Sequence, residues 1–136
     1  MDTSHALQKF IFGKLTTDSG IAAVVAQRVY DRVPKSAVLP YIEFGDDEIQ
    51  PEDAECLIEC DDIYVTLHVW SRAPGRVEAK DIAGALVRAL SEQEGTQNGY
   101  VIQSLTHDST RILSDPDGLT THAVVVFHAE VEPIAT

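Results

Sequence analysis

Residues 63–70 read IYVTLHVW, and their side chains alternate between two kinds with a period of two. Ile63, Val65, Leu67 and Val69 are apolar, while the residues between them are polar or aromatic. This alternation is typical of a β-strand with one buried face. The sequence therefore predicts a strand over Ile63–Trp70.

A helix is predicted after this strand. Pro74 and Gly75 interrupt the strand pattern, and apolar residues then recur at spacings of three and four over Arg76–Ser91. That spacing places them on one side of an amphipathic helix. The predicted buried stripe is Ala79, Ile82, Ala83, Leu86 and Leu90.

The remaining elements follow from the same two periods and from glycine and proline breaks. Before the central strand we expect helices over about Ser4–Leu15 and Gly20–Ala26, strands over Val29–Val33 and Tyr41–Phe44, and a loop over Gln50–Cys60. After the central helix we expect a loop over Glu92–Gly99, a strand over Tyr100–Leu113 bulged near His107–Thr110, a turn over Ser114–Gly118, a strand over Leu119–Val131 and a frayed tail over Pro133–Thr136.

The predicted order is α-α-β-β-β-α-β-β in a single domain over residues 1–136. Helices before and within a run of strands favour an α+β two-layer sandwich. We expect a mostly antiparallel sheet of about five strands, with the helices on one face. The other face, which carries His68 and Trp70, must then meet water or a partner.

Acidic residues are concentrated in one segment. The chain has 136 residues and a formal net charge of −12, and the segment from Glu43 to Asp62 has no Lys or Arg. This charge argues against sequence-independent DNA binding, which needs a basic surface. The segment suits either a solvated loop or an interface with a basic partner or a neighbouring subunit; it lacks the spacing of a calcium loop. Its acids are Glu43, Asp46, Asp47, Glu48, Glu52, Asp53, Glu55, Glu59, Asp61 and Asp62.

The sequence has no catalytic signature. A Gly-x-Ser-x-Gly elbow, a glycine-rich phosphate loop and a His-Glu-x-x-His motif are all absent, so we expect neither an enzyme nor a cofactor. Cys56 and Cys60 with His68 suggest zinc, but a second ligand pair is missing. Two free thiols in a reducing cytosol are the simpler interpretation.

The sequence also predicts a protein made in the cytoplasm without contact with a membrane. It has no apolar run of about 18–20 residues, and its first residues, MDTSHALQKF, do not have the pattern of a secretory signal.

Trp70-Ser71-Arg72 at the end of the central strand has two interpretations. Trp70 can pack on the edge of the core, or Trp70 and Arg72 can anchor an interface, since both residue types are enriched at binding hot spots. Arg76, just beyond them, belongs to the same candidate interface.

Four segments, which together span nearly the whole chain, resemble the tail-completion or tail-terminator proteins of long-tailed phages and gene transfer agents. The third and fourth are the most specific, because they combine a Trp-Ser-Arg strand end with an Asp-Pro-Asp-Gly turn. The segments are Ala6–Asp18, Arg28–Pro34 with Leu39–Ile42, Thr66–Arg72 with Gly75–Lys80, and Arg111–His122.

The resemblance implies a structural virion protein. Such subunits form a homohexameric ring that terminates the tail tube and joins the tail to a head-side stopper or connector. DNA passes through the ring without specific binding. The implied partners are other copies of this chain, the tail-tube protein and the head-side protein, and the implied location is the head–tail junction of a particle made in a bacterial cytoplasm.

The acidic segment is then expected to line the lumen of the ring or a subunit interface, and Trp70, Arg72 and Arg76 are expected to lie at a subunit or tube contact. Three alternatives remain at this point. The chain could be another head–tail connector or tail-tube subunit of the same particle. It could be a small cytosolic metal-binding module or enzyme that uses Cys56, Cys60 and His68, or a monomeric adaptor domain.

Overall fold

The computed structural model describes residues 2–51 and 60–134, which contain three helices and seven strands. The helices are α1 (Thr3–Thr17), α2 (Ser19–Val25) and α3 (Val77–Leu90). The strands are β1 (Val29–Tyr30), β2 (Tyr41–Pro51), β3 (Asp61–Ser71), β4 (Gly95–Gln97), β5 (Tyr100–Ile102), β6 (Thr106–Ser114) and β7 (Thr121–Pro133). No helix among the described residues is both long enough and apolar enough to cross a membrane.

The strands form one curled, mixed sheet in the order β1-β2-β3-β7-β5-β4, and β6 also pairs with β7. Only β1 and β2 are parallel among the described pairs; the others are antiparallel. In the long central pairing, Leu67 lies opposite Val125 and Trp70 lies opposite His122. Strands β3 and β7 therefore form the middle of the sheet.

The core lies between one face of this sheet and the helices. Alternate residues of β3 and β7 are buried, as the period of two predicts. The largest fully buried side chain is Phe127 of β7. Helix α3 buries the stripe that its sequence predicts, and α1 buries another, formed by Thr3, Ala6, Leu7, Phe10, Ile11 and Leu15.

The α+β class and the three helices are confirmed, but the two-layer sandwich with five strands is wrong. The sheet has seven strands among the described residues, and it curls into a half-barrel. Strand β1 ends at Tyr30, earlier than expected, whereas β2 continues through the acids to Pro51. Long-range pairing with β3 holds this polar stretch extended, from Asp47 opposite Val65 to Pro51 opposite Asp61. Of the predicted loop over Gln50–Cys60, residues 52–59 lie outside the described part.

The region after α3 also differs from the expected loop and single strand. β4 and β5 form a hairpin whose two-residue turn is Asn98-Gly99, with positive φ at both residues. Asn-Gly is a favoured sequence for such a turn. The expected strand over Tyr100–Leu113 is thus two strands, β5 and β6. The predicted bulge is confirmed by a register shift between His107 and Ser109. Pro133 still belongs to β7, and residues 135–136 of the expected tail lie outside the described part.

Candidate functional site

The face of the sheet that points away from the helices, which we call the open face, carries a cluster of rings. Trp70 of β3 stacks on His122 of β7, with ring centroids 3.8 Å apart and planes 8° apart. The indole Nε1–H of Trp70 donates to Glu43 Oε1 at 3.0 Å. Nδ1 of His68 lies 2.6 Å from Nε2 of His122. The four side chains form a connected row across β2, β3 and β7.

The protonation of His122 follows from this packing. Burial, and next the nearby His68, lowers the pKa of His122, while Asp115 and Glu43 act in the opposite direction. His122 is therefore neutral at neutral pH, so that Trp70 stacks on an uncharged ring.

Gly45 makes room for the His68 ring. A Cβ added at Gly45 would lie only 2.3 Å from His68 Nε2 and 3.3 Å from the backbone oxygen of Thr66. The ring therefore occupies space that any other residue at position 45 would fill. Glycine is common where groups approach a strand this closely.

We expect Gly45→Ala to displace His68 from His122 and to lower the free energy of unfolding by about 1–2 kcal/mol. Chemical denaturation measures the loss, and the histidine NMR signals report the separation of the rings. Gly13→Ala is the matched control, because nothing lies within 4 Å of an added Cβ in α1, and there alanine should stabilise the helix by up to about 1 kcal/mol. Equal effects at both positions would contradict the crowding argument.

A second pair on the open face joins the same strands further along. His128 Nε2 lies 3.1 Å from Asp62 Oδ1, and the ring of Tyr64 lies 4.8 Å from that of His128. Valines of β7 lie between the two clusters. The open face therefore has an ordered, partly buried surface even though none of the three described helices covers it.

Arg72 and Arg76 meet the turn between β6 and β7, and we call this region the strand-end corner (residues 72–76 and 114–120). Arg72 Nε–H donates to Thr120 Oγ1 at 3.1 Å, and an Arg72 amino group lies 3.7 Å from Asp117 Oδ2. An Arg76 amino group donates to Ser114 Oγ at 2.9 Å. The Trp-Ser-Arg strand end and the Asp-Pro-Asp-Gly turn, distant in the sequence, are thus in contact.

Asp117 organises the turn of this corner. Its Oδ1 accepts hydrogen bonds from the backbone N–H groups of Leu119 and Thr120, and its Oδ2 accepts one from the Thr120 hydroxyl. These bonds, followed by the weaker effect of Arg72, hold the pKa of Asp117 below its usual value. Two exposed apolar side chains, Leu119 at 69% and Val77 at 66%, lie beside the ordered polar groups. Apolar groups within a polar rim are typical of a contact surface.

Six of the ten acids that the sequence singles out lie among the described residues, and their surroundings differ. Glu43 bonds Trp70, Asp62 lies by His128, and Asp61 accepts a hydrogen bond from Thr3 at the start of α1. Three acids, Asp46, Asp47 and Glu48, follow one another along β2. The other four, Glu52, Asp53, Glu55 and Glu59, lie outside the described residues.

Asp47 is the described acid whose charged form is most clearly disfavoured in the folded protein. The residue as a whole is exposed, yet partial burial of its carboxyl, and next the charges of three aspartates, raise the pKa of Asp47 to about 6. The three are Asp46, Asp31 and Asp2. Because the folded protein binds this proton more tightly than the unfolded chain does, stability falls as the pH rises from about 4 to about 6.

Asp47→Asn is expected to stabilise the isolated protein at pH 7 by about 1 kcal/mol, after allowance for solvent screening. It should also flatten the loss of stability between pH 4 and 6. Urea denaturation at several pH values measures both effects, with Asp81→Asn on the exposed side of α3 as the control. A loss of stability at pH 7 would show that the carboxylate is stabilising, which is the opposite of the expected effect.

The cysteine expectation is corrected in part. Cys60 is disulfide-bonded, so it is not a free thiol; Cys56 lies outside the described residues. Within residues 2–51 and 60–134, no three His, Cys, Asp or Glu side chains are arranged to hold a metal ion. His68, the third residue of the zinc alternative, instead contacts His122.

The structure thus brings Trp70 into the open-face cluster and Arg72 and Arg76 into the strand-end corner. Sequence reasoning missed His122, Asp117 and Gly45 as members of these sites. The turn signal at Asp115–Gly118 marked the place of Asp117 but not its contact with Arg72. No local pattern marks His122 or Gly45, because their roles depend on strands that pair over long distances.

Comparison with known proteins gives a family match and matches among solved structures. A family model described as "Tail completion protein gp17" matches residues 9–132. Among solved structures, a chain of the "Virion of native gene transfer agent (GTA) particle" is similar, with a TM-score of 0.88, 23% identity, and coverage of 96% of this chain and 97% of that one. At this identity the likeness shows a shared fold. No curated protein matches this sequence.

Proposed function

This chain belongs to the tail completion protein gp17 family, and from that premise we propose that it is the single-domain subunit of a homohexameric ring that terminates the tail tube. The family is one of structural tail proteins and not of enzymes, so the chain is a structural component of a virion tail. The ring would also join the tail to the head-side stopper or connector. The observation that carries the proposal is the family match over residues 9–132.

The match to a chain of a gene transfer agent virion supports the same setting, because the two chains share their fold over nearly their whole lengths. We therefore infer partners within a particle: other copies of this chain, the tail-tube protein on one side of the ring and the head-side protein on the other. Contacts between copies in a ring are heterologous, since each subunit presents two different surfaces to its neighbours.

A channel for DNA is part of this proposal. The net charge of −12 on each subunit would make the ring strongly acidic, and an acidic lumen would repel phosphates rather than bind them. Described acids on the open face, among them Glu43, Glu48 and Asp62, support a lumen lined by that face. A structure of the assembled ring would test this arrangement, and it is wrong if the acids between residues 43 and 62 all lie on the outer wall.

Electron microscopy of the parent particle tests the proposed function. We expect a sixfold ring of this chain, located by a peptide tag, at the head-side end of the tail. Deletion of the gene should give tails of uncontrolled length, and the wild-type gene supplied in trans should restore the normal length. If the tag instead lies along the tube or within the head-side connector, the chain is another subunit of the particle and the terminator assignment is wrong.

A further inference from the structure

Two of the long strands have an unpaired edge among the described residues, in addition to the short terminal strands β1 and β4. Strand β6 pairs with β7 on one side only, and β1 covers the outer side of β2 only at Ile42 and Glu43. Unpaired strand edges present rows of N–H and C=O groups that can pair with another chain. Within residues 2–51 and 60–134, the longest free edges therefore lie at β6 and along the acidic part of β2.

An apolar groove lies beside the free edge of β6. It is lined by Ala83, Gly84 and Val87 of α3 together with Ile112 of β6. Lys80 and Thr110 complete the lining. A strand added to β6 would place alternate side chains over this groove, because every second residue of a strand points to the same face.

The groove and the free edge of β6 each carry a positive charge. Lys80 lines the groove, and Arg111 is exposed on β6. The elements around them are neutral overall, because the strand-end corner, α3 and β6 together hold five of the ten Lys and Arg residues and also five acids, whereas the rest of the chain holds 17 acids and five bases. A partner that pairs with β6 should therefore place acids opposite Lys80 and Arg111.

The free edge of β2 carries acids and an exposed apolar side chain, which match the positive charges and the apolar groove beside β6. Asp47 and Ile49 lie opposite the buried Val65 and Ile63, so they point to the helix face. Glu48 lies opposite Tyr64 and points to the open face. Ile49 is 45% exposed, an apolar side chain left among acids.

We propose that β2 of one subunit pairs with β6 of the next, so that a second copy of this chain fills the groove and the sheet continues from subunit to subunit. This inference rests on the proposed ring. Within a subunit, β2 and β6 run in opposite directions through the intervening β3 and β7. Rotation about the ring axis keeps the direction of strands that run along that axis, so the pairing between subunits is antiparallel.

The charges select one register. With Glu48 of one copy opposite Arg111 of the next, the two charges meet on the open face, because Arg111 pairs with Val124 there. Asp47 then lies opposite Ile112, beside Lys80, and Ile49 lies opposite Thr110, over the groove. The same register brings two of the four acids of β2, Asp47 and Glu48, next to basic groups and covers its exposed Ile49.

Disulfide cross-linking in assembled particles tests this register. Opposite residues in antiparallel strands have Cβ atoms about 4.5–5.5 Å apart, near the range in which cysteines can bridge. We expect Glu48→Cys combined with Arg111→Cys to give covalent oligomers up to the hexamer on non-reducing gels, at least about tenfold above either single variant. Glu48→Cys with Asp81→Cys is the control pair and should not cross-link; the native cysteines are common to all variants.

Charge exchange provides a second measurement that does not depend on oxidation. Glu48 and Arg111 are exposed, so reversal of either charge should leave the subunit folded. Glu48→Arg or Arg111→Glu alone should lower the yield of complete particles about tenfold or more, and the double variant should restore it. If the ring is visible but neither cross-links nor rescue occur, the register is wrong and the ring proposal stands. If wild-type tails lack a ring of this chain, both proposals fail.

Discussion

Truncation of Phe127 to alanine is expected to lower the free energy of unfolding by about 3–5 kcal/mol. Phe127 is fully buried in the middle of β7, opposite Val65 of β3 in the central pairing. Its ring also lies 5.6 Å from that of His107. Removal of the ring leaves a cavity between the sheet and the helices, which the surrounding side chains can fill only in part. A loss of this size is a large share of the stability of a domain, which is about 5–15 kcal/mol.

Val126→Ala is the matched control for this prediction. Val126 is the preceding residue of the same strand, but it is partly exposed on the open face. We expect its truncation to cost about 1 kcal/mol or less, because little cavity is formed there. Urea denaturation of both variants gives the comparison. Similar losses for the two would mean that the open face is packed as tightly as the core.

Trp70→Ala is expected to impair assembly far more than folding. The stack on His122 and the hydrogen bond to Glu43 are each worth about 1 kcal/mol, so the isolated subunit should lose about 2 kcal/mol and remain folded. Trp70 lies next to the end of β3. As an aromatic anchor where this end of the open face meets the tail tube, it would contribute more, and the yield of complete particles should fall about tenfold or more.

Trp70→Phe separates the two roles of the indole. Phenylalanine keeps a ring that can stack on His122 but cannot donate to Glu43, so we expect an intermediate loss of particles and a smaller loss of stability. Circular dichroism and denaturation of the purified subunits are compared with particle counts from electron microscopy. A Trp70→Ala subunit that is unfolded at room temperature would identify Trp70 as a core residue and remove it from the interface.

Long periodic elements could be predicted from the sequence. The strand around Val65 and the helix around Leu86 each bury one regularly spaced set of apolar residues. The spacing therefore predicts both the type of each element and the side that it buries. The acidic half of β2 could not be predicted in this way, because Asp46–Glu48 disfavour a strand locally and are held extended by pairing with β3. The β4–β5 hairpin had a readable signal, Asn98-Gly99, but its strands have only three residues each.

Only some residues of the candidate site could be predicted from the sequence. The resemblance and the residue types pointed to Trp70 and Arg72, and the turn pattern pointed to Asp117. Their partners are supplied by the fold: His122 faces Trp70 only because β3 and β7 pair in one register. Arg72 reaches Asp117 only because the ends of these strands coincide. Such contacts depend on strand order, which the apolar pattern does not specify.

The central position of β7 has a consequence for the time at which this protein can fold. β7 pairs with β3, β5 and β6, and its partners in β3 are 50 to 70 positions earlier in the chain, as in Asp61 opposite Val131 and Ser71 opposite Thr121. Before β7 is synthesised, the nascent chain already contains α1, α2 and α3, but the sheet that packs against these helices still lacks a central strand. Contacts this distant in sequence slow folding. The subunit therefore forms its core only after β7 emerges. Until then, the edge of β3 that β7 later covers stays accessible to other nascent copies.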